Sequence, residues 1–334
     1  MRITRDLLRK VAANTAAERT RYNRHIVSIY LTGSLLEEDP LLGGTADVDL
    51  IFVHDSQPPF SREIIPVTDD VHVDIGHLPQ SLFLHPRSLR GEAWLGTFLC
   101  INPVLLYDTQ HWFEFTQASV CSQFNQPENV MRRARPLAEK ARQSWMQLYG
   151  SHKESWPKTI LNYLTILRKA ANSIACLSGA PLTERRFILQ YPNRTAAIDQ
   201  PDLASTITAL YTGQSLEDEL WHSWLDDWET LFTAVGSQEG APTRMHPARR
   251  NYYRKAASAL WESSEKKAAL WPILFSWTEA AAFTTNQEDC QKWHAAVKQL
   301  GLGEEDFAGR MEAVDGYLDS IEEVLDVWAA DHGI

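Results

Sequence analysis

Beyond about residue 115 the chain carries helical periodicity and fading strand signal, whereas the residues before it read as short apolar runs broken by turns. That segregation predicts an α+β chain. A small mixed β-sheet domain occupies 1–115 and an α-helical bundle domain occupies 116–334. The length agrees, since 334 residues at roughly 100–200 per domain also give two domains.

In the first part, Leu7, Leu8, Val11 and Ala12 fall at helical spacing, which predicts an amphipathic helix over 3–22. The run Ile26–Leu31 is rich in β-branched residues and reads as a buried strand ended by Thr32-Gly33-Ser34. A second strand runs to Val53 and is led by Asp47-Val48-Asp49. A hairpin follows, with strands over 62–67 and 71–77 and a turn at Thr68-Asp69-Asp70. Pro66 lacks an N–H and should put its strand at a sheet edge. In the second part, helices are predicted over 132–150, 155–179, 201–211, 216–235, 248–265, 270–283, 286–299 and 304–330, with Gly179 as a natural stop for the second.

The formal charge of −11 argues against broad non-specific binding to nucleic acid or to an anionic membrane, and permits a cationic substrate. Cys100, Cys121, Cys176 and Cys290 form no C-x-x-C pair, so neither a zinc site nor a disulfide framework is expected. The N-terminus lacks an unbroken apolar h-region, and the longest apolar stretches are too short to span a bilayer. The expectation is a soluble cytoplasmic protein.

Three features carry chemistry. Asp47 and Asp49 lie two apart in a strand and therefore point to one face. Two carboxylates held so repel each other, and a divalent cation removes that cost. Hard oxygen ligands suit Mg²⁺, which takes one or two carboxylates plus phosphate oxygens. Asp74, inside Val71–Ile75, could close the cluster from a neighbouring strand. Gly33-Ser34 could bring backbone close to a phosphate, and if Ser34 opens a helix its N–H groups would face the anion. Each feature also has a plainer reading. Gly-Ser is a common turn, D-x-D a common cap, and Asp74 could be a solvent-facing strand residue.

The order is more specific than its parts. LTGSLLEEDPLLGGTADVDLIFVHD followed by VHVDIGHL resembles the nucleotidyltransferase superfamily of the DNA polymerase β type: G-S, a gap, D-x-D, then a third acid on a later strand. LGTFLCINPVLLYD is similar to the helix and strand that follow that acid in stand-alone members. The glycine-containing segment Glu37–Ala46 departs from the pattern and leaves any helix after Ser34 short. The two-domain layout is most similar to the aminoglycoside nucleotidyltransferases. The resemblance implies transfer of a nucleoside monophosphate from ATP or another NTP to the hydroxyl of a small molecule, with Mg²⁺ as cofactor and antibiotic resistance as one setting. It implies Asp47, Asp49 and Asp74 as catalytic and metal-binding residues, Asp74 alternatively as general base, and Gly33 and Ser34 at the triphosphate. It also offers Arg168, Lys169, Arg185 and Arg186 of the helical domain as nucleotide-binding residues. A solvated helix face with a cationic end is an equal reading of any one of these. Two other functions stay open: a nucleotide-binding regulatory protein without turnover, and transfer to a protein or tRNA. The oligomeric state is not readable.

His72 and Asp74 share a face while His77 takes the other, which disfavours a mixed His/Asp metal site. Trp221, Trp224 and Trp228, with Trp261, Trp271, Trp277 and Trp293, read first as helical core and second as a stacking platform. The acids 217–219, 226, 227 and 229 read as a wet helix face or a lure for cations, and the basic run 249–255 as a phosphate grip or as internal ion pairs.

Overall fold

The structure is a computed structural model and describes residues 3–109, 111–150, 154–213 and 217–334. Its contacts divide the chain into Met1–Val130 and Met131–Ile334. The first unit opens on α1 (Arg5–Tyr22), where Thr4 accepts the Leu7 N–H at 3.3 Å. Asp6 sits in its first turn and Arg19 and Arg21 in its last, each opposite in sign to the helix end it occupies. Leu8, Ala12 and Ala16 recur every fourth residue and bury one stripe of the helix.

That stripe covers one face of a five-stranded mixed sheet made of β1 (Ile26–Thr32), β2 (Ala46–His54), β3 (Arg62–Thr68), β4 (Val71–Pro79) and β5 (Val104–Asp108). The order is β3-β4-β2-β1-β5; β2 and β4 run parallel and every other pair antiparallel. β3 and β4 form the expected hairpin, and Pro66 lies on the edge strand, where its missing N–H costs no ladder bond. Alternation sends Val48, Leu50, Phe52, Val73 and Ile75 toward α1. Tyr30, Ile51 and Val53 face the other way, into a second core with Phe83, Leu89, Leu99, Phe113 and Val120.

The second core draws on α2 (Leu95–Cys100) and α3 (Trp112–Cys121), so the first unit runs on to Val130 and a boundary at 115 would cut α3. A disulfide joins Cys100 to Cys121 at the ends of these helices, with Cα atoms 5.4 Å apart. This corrects the expectation of no disulfide: the pairing follows from how α2 and α3 lie, which a spacing of 21 residues does not reveal.

On the α1 face, His54 Nε2 and His77 Nδ1 lie 2.9 Å apart, both rings nearly buried. His77 Nε2 faces Glu63 Oε2 at 3.5 Å, and Arg19 in turn holds Glu63 at 2.5 Å. Burial is the main cause that holds both imidazoles below their ordinary 6.5; at His77 the neighbouring His54 adds to it and Glu63 opposes it. The unfolded chain therefore takes up protons that the folded chain refuses. The pair's stabilisation is complete above about pH 7 and is lost as the pH falls through the unfolded value of about 6.5. Urea midpoints at about pH 7.5 and 5.5 should show this loss, and His77→Gln should flatten it. An equal pH dependence in that variant would place the titrating groups elsewhere.

Among the described residues the regular elements of the second unit are all helices. It holds α4 (Pro127–Gly150, entering from the first unit), α5 (Trp156–Ser178), α6 (Phe187–Ala196), α7 (Asp202–Tyr211), α8 (Asp218–Gly236), α9 (Arg250–Glu262), α10 (Lys266–Phe283), α11 (Gln287–Gln299) and α12 (Phe307–Asp331). Position 216, the predicted start of α8, lies outside the described residues. α10 is buried nearly all round and packs on α5, α6, α8, α9 and α11, as a helix without a polar face must. The tryptophans are core: Trp221 stacks on Trp261 at 4.4 Å, and Trp228 and Trp293 donate to Ser276 and Thr278. Part of the α8 acids and of the basic run forms ion pairs, Arg254 with Asp226 and Glu229 and Arg250 with Glu229, and Asp227 pairs with Lys292 of α11. Among the described residues no helix is long and apolar enough to cross a membrane.

Candidate functional site

β2 places Asp47 and Asp49 on the sheet face opposite α1, and β4 sets Asp74 directly beside Asp49 in the parallel register. All three carboxylates therefore share one face, with His72 beside Asp47. His77, on the opposite face, belongs to the histidine pair described above. Asp47 is 7% exposed and Asp74 4%. Ionised groups are rarely buried this far without partners.

Gly33 ends β1 with φ +80° and ψ −163°, a conformation essentially confined to glycine. A Cβ there would lie 2.0 Å from Asp49 Oδ2 and 2.8 Å from its Cγ. The missing side chain is thus what allows the Gly-Ser turn to press against the Asp49 carboxylate. Ser34 Oγ donates to Asp47 Oδ1 at 3.5 Å, a long contact that brings the hydroxyl to the second acid. Ser34 opens only a single 3₁₀ turn, Ser34–Leu36, instead of a helix. The anion-facing helix terminus considered from the sequence is therefore not formed, because Glu37 returns to extended backbone after three residues.

Gly33→Ala should be among the most damaging small substitutions in the first unit. The backbone strain alone is worth about 1–3 kcal/mol. The overlap with Asp49 comes on top and must move that carboxylate. Urea denaturation should show the loss, and adding Asp49→Ala should return part of it, since only the steric component vanishes. Strict additivity in the double variant would mean that the two residues do not touch.

The sequence did not reveal Arg62. Its Nε and Nη2 donate to Asp74 Oδ1 and Oδ2 at 2.7 and 2.6 Å, a bidentate pair. Arg62 pairs in register with Gly76, so it reaches Asp74 on the diagonal two residues away. Its side chain is 44% exposed, whereas that of Asp74 is 3% exposed. The third acid is thus turned to a guanidinium. Among the described residues no three His, Cys, Asp or Glu side chains are arranged to hold one metal ion together. The donor set nevertheless fits Mg²⁺ in part. Asp47 and Asp49 supply two hard oxygen donors on one face, beside a glycine turn that lies against the Asp49 carboxylate.

The four cations expected at a nucleotide lie in the second unit and meet different fates. Arg185 is buried, donates to the Tyr252 carbonyl at 2.9 Å and stacks on the Tyr252 ring at 3.3 Å. Arg186 closes the same short 3₁₀ turn, Glu184–Arg186. Lys169 donates to Ser144 Oγ at 3.1 Å. Arg168 lies over the Phe275 ring at 4.7 Å.

No protein-family model and no curated protein matches the sequence. Among solved structures, a nucleotidyltransferase-like protein from Exiguobacterium sibiricum is 10% identical, with 75% of this chain and 78% of that chain covered at a TM-score of 0.28. A likeness that distant fixes no chemistry, and the site rests on its own residues.

Proposed function

We propose that the chain transfers a nucleoside monophosphate from ATP or another NTP to a hydroxyl of a small-molecule acceptor and releases pyrophosphate. The observation that carries this reading is the close approach of the Gly33-Ser34 turn to two carboxylates that β2 holds on one face, with a third beside them on β4. Asp47 and Asp49 would hold Mg²⁺, which neutralises charge developing on the phosphoryl oxygens. The Ser34 hydroxyl is a donor for a phosphate oxygen, and Gly33 leaves the backbone open to it. Asp74 accepts the proton of the attacking hydroxyl as its oxygen bonds to the α-phosphorus and pyrophosphate departs. Arg62 must release at least one Asp74 oxygen for that step, since a carboxylate chelated by a guanidinium is a poor proton acceptor.

The acceptor class follows from charge. An acidic chain favours a cationic small molecule over tRNA, and an aminoglycoside is one such acceptor. We place the reaction in the cytoplasm, although the Cys100–Cys121 disulfide is of the kind that persists in oxidising compartments.

The Arg62–Asp74 pair also favours a second reading, a regulatory protein that binds nucleotide without turnover, because it withdraws the third acid. One experiment separates the two. The protein is incubated with each NTP, Mg²⁺ and a panel of hydroxyl acceptors that includes aminoglycosides, and products are read by mass. An acceptor heavier by one nucleoside monophosphate, with pyrophosphate released, is the expected result. Nucleotide binding without any adduct across the panel would sink the enzyme reading.

A further inference from the structure

We propose that the helical unit binds a neutral sugar ring, in a cavity lined by the start of α5, the end of α10 and one face of α11. The inference goes beyond nucleotidyl transfer, because the cavity lies wholly within the second unit and needs neither metal nor the carboxylates of the first.

The cavity measures about 470 Å³, a size typical of small-molecule sites. Its floor follows from the sequence. α10 runs out on Ala280-Ala281-Ala282, and the last two line the cavity, leaving room that longer side chains would fill. Trp156, at the start of α5, adds one large ring to the lining. That ring is held from the core side before any ligand arrives. Phe307 of α12 meets it edge-on at 4.9 Å, and Tyr163 lies 5.5 Å from Phe307 while donating to the Leu210 carbonyl at 2.7 Å. Trp156 Nε1 is buried and has no acceptor among the described residues, whereas a buried indole N–H normally finds one.

The polar part of the lining specifies the ligand. Among the described residues no Asp, Glu, Lys or Arg lines the cavity; amides, an imidazole and hydroxyls do. Gln291 and His294 lie three apart on α11, share a face, and make no side-chain hydrogen bond among the described residues. Asn286 spends its carbonyl on the Glu288 N–H at 3.1 Å, which leaves its NH₂ to donate. Ser155 stands at the N-cap of α5, yet its side chain makes no capping bond. Such groups both donate and accept, as sugar hydroxyls do, and the apolar C–H face of a sugar ring matches an indole. An ion would give up hydration without a side chain of fixed opposite charge to replace it. A purely apolar ligand would cover the amides without bonding them. A neutral sugar ring meets both halves of the lining.

The test is saturation-transfer NMR on the full chain in EDTA, with D-glucose, D-galactose, N-acetyl-D-glucosamine and myo-inositol as neutral probes. Wild type should transfer magnetisation to the ring protons of at least one probe, and the signal should saturate at millimolar concentration. Ala282→Leu fills the cavity and should abolish it. Gln291→Ala with His294→Ala alters only exposed side chains and should weaken binding at least about tenfold, which keeps the test open if Ala282→Leu folds poorly. Gln143→Ala, at an exposed position on α4, should leave it unchanged. Asp47→Asn with Asp49→Asn should bind as wild type does, so failure of the transfer chemistry would leave this site standing. D-glucosamine and glucose 6-phosphate carry a sugar ring with a charge, and should bind more weakly than the best neutral probe. A charged analogue that binds more tightly than every neutral one overturns the ligand class. No transfer to any neutral probe, or wild-type binding by both cavity variants, overturns the site.

Discussion

Replacing Asp49 with Asn should reduce Mg²⁺-dependent pyrophosphate release by about 10²–10³-fold or more, the scale on which single electrostatic contacts to a transition state are lost. The substitution keeps the shape of the side chain and removes its charge, so the fold should survive. Asp47→Asn should behave alike, since β2 presents both carboxylates on one face. Metal-free protein should be as stable as wild type or more so, because two like charges two residues apart on a strand repel until a cation joins them. Gly33 sharpens the expectation. With Asp49 Oδ2 lying where a Cβ would be, the carboxylate has little room to rearrange around a changed ligand set. Binding of Mn²⁺ followed by electron paramagnetic resonance separates a metal defect from a substrate defect. A double Asp47→Asn, Asp49→Asn variant with wild-type turnover would remove the metal assignment.

What the sequence made legible was whatever depends on local periodicity. The hairpin from Arg62 to Pro79 was readable because alternation, the turn signal at Thr68-Asp69-Asp70 and Pro66 all point to it, whereas the shift of register between Pro66 and Thr68 was not. The face shared by Asp47, Asp49 and Asp74 follows from strand period alone once β2 and β4 are neighbours. Features that depend on how elements meet were not readable. Arg62 finds Asp74 across a diagonal between strands, which no linear pattern marks. α3 belongs with the sheet because Phe113 and Val120 enter its second core, and nothing in the local sequence assigns those side chains to one unit over another. α6 was not predicted, and Pro192 inside it breaks the usual helical signal. The short turn at Ser34 reflects the loop up to Ala46, whose two left-handed glycines, Gly43 and Gly44, turn the chain without extending a helix.

The Arg62–Asp74 pair makes the last expected result a matter of pH as well as rate. Asp74→Asn should bind Mg²⁺–NTP within a few-fold of wild type and lose about 10²–10⁴-fold in turnover, the range typical for removal of a general base. Arg62→Gln tests the same proton from the other side. It leaves a buried carboxylate without its charge-assisted partner and should cost about 1–3 kcal/mol of stability, at the low end because the Arg62 side chain is 44% exposed. Loss of the guanidinium also favours the protonated acid, since a positive charge beside a carboxylate stabilises its ionised form. A base must be ionised to act, so the acid limb of the pH–rate profile should move to higher pH in Arg62→Gln. Arg62→Lys should move it less, because the charge remains while the bidentate geometry goes. Above that limb Arg62→Gln should turn over at least as fast as wild type, because Asp74 no longer has to be freed from its partner. An acid limb that stays in place in both variants, alongside an inactive Asp74→Asn, would make Asp74 a ligand or a structural anchor and would leave the proton to another acceptor.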